Sequence, residues 1–161
     1  MLDILGRSKI RKKIIVTFVY NQRKKLYLSE IARRVKTSAG TTQRELNKLL
    51  AIGFITFRKS GNLNLYRLNK DFALLAEIEA IVKKTLGIEV ELANELRKVK
   101  DIKFAFLFGS YAKGGFKSES DIDLFIIGRP DENDVYRVVR KVENSVGREI
   151  NYHLADESEF I

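Results

Sequence analysis

The stretch Asp121-Ile122-Asp123-Leu124-Phe125-Ile126-Ile127 constrains this chain more than any other, because a run with strand composition opens on two carboxylates one residue apart. Side chains alternate between the faces of a strand, so Asp121 and Asp123 share one face while Ile122 and Leu124 take the other. Two like charges a few ångströms apart repel unless something positive lies between them. Hard divalent cations are bound by carboxylate oxygens together with substrate phosphates, so the pair reads as a ligand set for Mg²⁺ or Mn²⁺.

Just upstream, Phe104-Ala105-Phe106-Leu107-Phe108 is short, aromatic-rich and closed by glycine, and reads as a buried strand. Gly109 brings the backbone close to a ligand with no side chain in the way. Ser110 is placed to cap a short helical turn, Tyr111-Ala112-Lys113, with its hydroxyl and amide facing a phosphate oxygen. A Gly-Ser cap or a Ser118-Glu119-Ser120-Asp121 turn is ordinary by itself. In combination with the two acids they point to a metal and nucleoside triphosphate site.

Gly109-Ser110, a ten-residue spacer and Asp121-Ile122-Asp123 at the head of an apolar strand resemble the nucleotidyltransferase signature of the DNA polymerase beta superfamily. The flanking Phe106-Leu107-Phe108-Gly109-Ser110-Tyr111-Ala112-Lys113-Gly114 is most similar to its small prokaryotic, minimal branch. The resemblance implies a small α/β fold with a mixed sheet. It implies that Gly109, Ser110 and Lys113 hold the nucleotide, that Asp121 and Asp123 hold the metal, and that a nucleoside monophosphate is transferred to a hydroxyl with release of pyrophosphate. It also implies a third carboxylate on a later strand. In Gly147-Arg148-Glu149-Ile150-Asn151-Tyr152-His153-Leu154 that position falls at Asn151, whose amide offers a carbonyl ligand but cannot act as a base. Glu149 shares the face, about 6 to 7 Å further along the strand. The catalytic set implied is therefore Asp121 and Asp123 with Glu149 or Asn151, and whether the chain catalyses transfer or only binds nucleotide stays open. His153, the single histidine, reads as structural.

Charge divides the chain. Residues 1–70 hold 17 Lys+Arg against 3 Asp+Glu, and residues 71–161 hold 13 against 18. A net +14 over the first part is the electrostatic character of a nucleic-acid binder. Within it, 10–20 suits a core helix, and 28–35, with Ser29 as cap, a two-turn helix. A turn follows at 36–40, and then comes a helix over 41–50 burying Leu46, Leu49 and Leu50. Gln43, Arg44, Asn47 and Lys48 are left outward, side chains suited to base edges and phosphates. Gly53 ends this helix, and 54–59 and 63–68 form a hairpin around Ser60-Gly61-Asn62. This order resembles a prokaryotic winged helix-turn-helix, which implies double-stranded DNA as partner and Arg58, Lys59 and Arg67 on or near the wing.

Between the two parts, 71–86, capped by Asp71, and 88–99 read as amphipathic helices whose apolar faces fit the chain's own core or a second copy in a homodimer. The expected organisation is two domains, a mainly α winged helix-turn-helix (α+β) at 1–70 and a small α/β nucleotidyltransferase at 101–161, joined by a helical connector at 71–100. There is no cysteine and no apolar run long enough for a membrane span, which fits a cytoplasmic protein with no membrane partner.

Three functions fit the sequence. One is a DNA-binding transcriptional regulator, antitoxin-like, whose second domain binds nucleoside triphosphate with Mg²⁺ and modifies a hydroxyl on a toxin-like partner protein. The second is a transcription factor whose nucleotidyltransferase fold is inactive and serves sensing or dimerisation. The third makes the basic part a grip on RNA.

Overall fold

The computed structural model describes residues 6–114 and 121–159, with the side chains of 113 and 114 excepted. The turn expected at Ser118-Glu119-Ser120 lies outside the described residues. The chain divides into two compact units, Met1–Val82 and Lys83–Ile161.

The first unit contains α1 (Lys9–Tyr20), β1 (Leu26–Tyr27), α2 (Leu28–Val35), α3 (Ala39–Ala51), β2 (Ile55–Ser60), β3 (Leu63–Leu68) and most of α4 (Leu75–Thr85). Its core joins Ile14, Ile15, Phe18 and Val19 of α1 to Leu46 and Leu49 of α3, Phe54, and Tyr66 of β3. Each such fully buried aliphatic side chain stabilises the unit by roughly 1.5–3 kcal/mol. The strands form an antiparallel sheet in the order β1-β3-β2.

Local chemistry moves several expected boundaries. Ser29 does not cap α2: Leu26 and Tyr27 pair with Tyr66 and Leu65, so the chain enters the helix directly from a strand, with Tyr27 at the cap and no side-chain bond there. Lys36 ends α2 in the left-handed region (φ 56°). Ser38 caps α3, its Oγ accepting from the Thr41 amide at 3.2 Å. On α3, Leu46 and Leu49 are buried as expected, but Leu50 is half-buried, and Thr42 and Glu45 turn inward. The hairpin loop is two residues long, since Ser60 pairs with Leu63, and Gly61 supplies the positive φ (60°). Asp71 does not cap α4. Its amide instead donates to Asn69 Oδ1 at 3.1 Å, a turn that holds 69–71 out of the helix.

The second unit contains α5 (Ile88–Leu96), β4 (Ile102–Phe108), α6 (Gly109–Gly114), β5 (Ile122–Gly128), α7 (Glu132–Val146) and β6 (Ile150–Ala155). The sheet order is β4-β5-β6, with β4 antiparallel to β5 and β6 parallel to it through the α7 crossover, so the expected mixed sheet is present. Asp131 caps α7, Oδ1 accepting from the Asn133 amide at 2.8 Å, and Gly147 ends it at φ 70°. α5 and α7 pack together, tied by Ser145 Oγ donating to Glu91 (2.6 Å) and by Lys141 to Glu95 (2.9 Å). Glu95 also takes the ammonium of Lys98, and the hydrogen bonds from these two lysines hold its carboxyl below the ordinary carboxylate range.

The valines of α7 and Leu92 and Leu96 of α5 are buried with Ile122, Leu124 and Ile126 of the central strand. On the other sheet face, among the described residues, Phe104, Phe106, Asn151 and His153 are exposed. β4 is therefore not the buried strand its composition suggests: it is an edge strand, and Phe104 and Phe106 are 67% and 43% exposed. The helical segment expected at 71–100 divides, with α4 beginning in the first unit and α5 wholly in the second. Among the described residues no helix is long and apolar enough to cross a membrane.

Candidate functional site

Register builds the site. β5 pairs Asp123 with Phe108 on one side and with Asn151 on the other, so the three side chains form a row on the sheet face opposite Ile122 and Leu124. Asp121 stands just before β5 and is exposed; the Ile122 amide donates to the Glu149 carbonyl at 3.0 Å, which sets Asp121 beside the entry to β6. Asn151 Nδ2 donates to Asp121 Oδ2 at 3.3 Å. The amide expected in place of a third acid thus lies against the carboxylate pair. Glu149 is exposed at the strand entry. Among the described residues no three His, Cys, Asp or Glu side chains gather in a way that would hold a metal ion.

Gly109 follows β4 directly and has φ 71°. A Cβ built there would clash with Asp123 Oδ2. The glycine backbone and the carboxylate therefore occupy adjoining space, which ties the Gly-Ser turn to the acids. Ser110 is exposed and is the second residue of α6 rather than its cap, because the helix starts at Gly109. The side chain of Lys113 lies outside the described residues.

What seats this turn was not legible in the motif. Tyr111 is almost fully buried (1% exposed) and its hydroxyl donates to Glu89 Oε1 at 3.0 Å. The guanidinium of Arg148, itself buried, lies 5.7 Å from the Tyr111 ring centre. α6 is thereby anchored to α5 and to the approach of β6. These partners lie 22 and 37 residues away in sequence, with no local pattern linking them.

Two exposed or half-exposed carboxylates on one face with an amide beside them are hard oxygen donors, leaving room for phosphate oxygens to complete a coordination sphere. Asp121 and Asp123 fit a divalent cation shared with a nucleotide.

In the first unit, Arg44, Asn47 and Lys48 are exposed on α3 as expected, with Lys48 also paired to Glu45 at 3.0 Å. Gln43 is not outward. It is half-buried, bonded to the Tyr66 hydroxyl (2.9 Å) and donating to Asn47 Oδ1 (2.8 Å), because Tyr66 packs beneath α3. Phe57 and Tyr66 share one face of the hairpin. Arg58 and Arg67 take the opposite face, lining with Lys25 and Lys70 a cavity of about 320 Å³. Lys59 is exposed near the hairpin tip, paired with Asn64.

Residues 90–158 match the family described as "Polymerase beta, Nucleotidyltransferase". A curated protein of Methanocaldococcus jannaschii, named as a putative protein adenylyltransferase, is 41% identical over 59 residues, which is 37% of this chain and 59% of that protein. The chain thus spans about three-fifths of the length of that relative. Two solved structures are slightly similar, at levels too low to argue from. Sso10a-2, a DNA-binding protein from Sulfolobus solfataricus, has a TM-score of 0.39 at 18% identity, covering 57% of this chain and 92% of its own. Human N-acetylserotonin methyltransferase in complex with SAM has a TM-score of 0.35 at 13% identity, covering 54% and 28%. On the family match, and consistently with its mixed sheet, the segment 90–158 is a nucleotidyltransferase domain of the polymerase beta kind.

Proposed function

We propose that the second unit binds a nucleoside triphosphate with a divalent cation and transfers its nucleoside monophosphate to a hydroxyl on a partner protein, while the first unit binds double-stranded DNA as a winged helix-turn-helix. The chain would then be a DNA-binding regulator of antitoxin-like type. The observation that carries the nucleotide half is the meeting of Gly109 with the Asp123 carboxylate, and of Asn151 with Asp121, inside the segment matched to nucleotidyltransferases. Asp121 and Asp123 would hold the cation, which supplies charge neutralisation at the phosphates when bound. Gly109 leaves room for the Asp123 carboxylate and, with the backbone of Ser110, for the phosphates. Transfer to protein, rather than to another acceptor, is supported by the name of the archaeal relative.

For the first unit the support is its charge, +14 over residues 1–70, and the exposed Arg44, Asn47 and Lys48 on a helix followed by a hairpin. A polyanion partner makes affinity fall steeply with salt, and preference among duplex sequences separates DNA reading from a general grip on RNA.

A second reading has its own observation. Asn151 carries no charge to accept a proton, so the domain would bind nucleotide and act as a sensor without transfer. The deciding experiment is calorimetry of the full chain with ATP, GTP, CTP and UTP, each with and without Mg²⁺, beside Asp121→Asn/Asp123→Asn. The proposal expects metal-dependent binding of one nucleotide, abolished in the double variant, with DNA affinity changed less than twofold. No binding of any nucleotide ends both readings of the second unit. Transfer activity gained only in Asn151→Asp favours the sensor.

A further inference from the structure

The hairpin of the first unit has two faces of opposite character. Phe57 and Tyr66 share one, where the Tyr66 hydroxyl meets Gln43 of α3, and Thr56, Arg58, Leu65 and Arg67 share the other. On that second face the register sets Arg58 opposite Leu65 and Arg67 two residues further along, so the two arginines are diagonal neighbours about 7–8 Å apart. Leu26 pairs with Tyr66, which brings Lys25, one residue earlier, alongside Arg67, and Lys70 follows the end of β3. These four cations line the cavity of about 320 Å³ together with Leu65 and Leu68, and Asp71 is the one carboxylate among the described residues of its lining.

Three observations name the ligand. The first is charge. Among the described residues Lys25, Arg58, Arg67 and Lys70 take part in no ion pair, while Glu30 is engaged by Arg34, and Glu45 by Arg11 and Lys48. Four cations less one carboxylate leave three positive charges lining one cavity, and they repel one another until a ligand brings negative charge between them. A chain of phosphates has that charge in a short span, and arginine forks and lysine ammonium groups are the side chains that hold phosphoryl oxygens. The second is size: a cavity of this volume takes a small molecule. The third is position. A duplex seated on the exposed Arg44, Asn47 and Lys48 of α3 approaches from the Tyr66 side of the hairpin, and the cavity lies on the opposite side.

We propose that this cavity binds a small polyphosphate, a di- or triphosphate either free or carried on a nucleoside, held by Lys25, Arg58, Arg67 and Lys70 without a metal ion. The site is separate from the carboxylate pair of the second unit, where phosphates need a divalent cation between them and Asp121 and Asp123. It stands whether or not that domain transfers a nucleotide. Arg58 and Arg67 hold the phosphate chain from the two strands of the hairpin, and Lys25 and Lys70 add charge from the flanking segments. Asp71 repels phosphate but accepts from a hydroxyl or amino group of a nucleoside, whose uncharged part lies against Leu65 and Leu68.

The test is calorimetry of the full chain in EDTA at about 0.15 M salt, where loose surface attraction is screened. The probes are pyrophosphate, tripolyphosphate and ADP, with citrate as a carboxylate control. The expected result is saturable binding of a polyphosphate probe, unchanged in Asp121→Asn/Asp123→Asn, weakened at least tenfold in Arg58→Gln and in Arg67→Gln, and within twofold of wild type in Arg44→Gln. All three arginines are exposed, so none of these changes removes core packing, and a melt followed by circular dichroism verifies the fold of each variant. Tighter binding of ADP than of pyrophosphate gives the site to nucleotides, and the reverse order gives it to free polyphosphate. No saturable binding, citrate binding as tightly, or an equal loss in Arg44→Gln overturns the proposal. So does binding that disappears in Asp121→Asn/Asp123→Asn, which would place the phosphates in the second unit. A short DNA duplex reads the macromolecular alternative: if Arg58→Gln and Arg67→Gln weaken its binding tenfold while no polyphosphate probe binds, these cations belong to the DNA grip and the proposal fails.

Discussion

At Gly109 both the positive φ and the Asp123 carboxylate, which occupies the place a Cβ would take, exclude a side chain. Gly109→Ala must push the carboxylate aside or shift the turn. The expected outcome is loss of metal-dependent nucleotide binding by at least tenfold in calorimetry, with the α7 and β6 core intact by circular dichroism. A second residue prediction concerns Glu45, buried at 8% exposure between α1 and α3. Burial works to raise its carboxyl pKa, but hydrogen bonds from Arg11 (2.7 Å) and Lys48 (3.0 Å), with their charges, outweigh burial and hold it below the ordinary value. A lowered folded pKa adds stability above the unfolded value and loses it as pH falls through the folded one. Glu45→Gln should therefore cost about 1–3 kcal/mol at neutral pH in urea titrations, the difference from wild type shrinking as pH falls below the ordinary glutamate value and through the lowered folded one. The motif made Gly109, Asp121 and Asp123 legible, because backbone freedom and paired charge are local properties. Gln43 was misread, because only the fold brings the Tyr66 hydroxyl to it, 23 residues away.

Elements were read well where turn chemistry is local, as in the hairpin, centred on Gly61. They were misread where tertiary pairing decides. β1 is only two residues long and exists because β3 offers a partner, so its arrival displaced Ser29 as a cap. The exposure of Phe104 and Phe106 follows from the sheet face they occupy and from the edge position of β4, neither of which composition encodes. The junction of α2 and α3 carries the prediction at this scale. Lys36 holds a left-handed conformation that costs a residue with a Cβ about 1 kcal/mol, so Lys36→Gly should raise the melting temperature of the first unit by several degrees. Unchanged or lower stability would mean that the lysine side chain contributes there in some other way. Tyr111 plays the opposite part: Tyr111→Ala empties a buried site under α6, and a loss of about 3–5 kcal/mol is expected in denaturant unfolding of the second unit.

At the scale of the molecule, the two units are each continuous in sequence and each has its own buried core. The boundary falls near the end of α4, after Val82, and Gly87 then separates α4 from α5, which lies wholly in the second unit. Expressed separately, 1–86 should retain the DNA affinity of the full chain and 87–161 its nucleotide affinity, each within about threefold; collapse of either fragment in circular dichroism would count against independent folding. Continuity also sets an order in time. A chain made at about 5–20 residues per second finishes the first unit several seconds before the second is complete. For that interval the nascent protein presents 17 cationic side chains against 3 anionic ones over its first 70 residues, beside ribosomal RNA, while most of the chain's acidic residues are still to be translated.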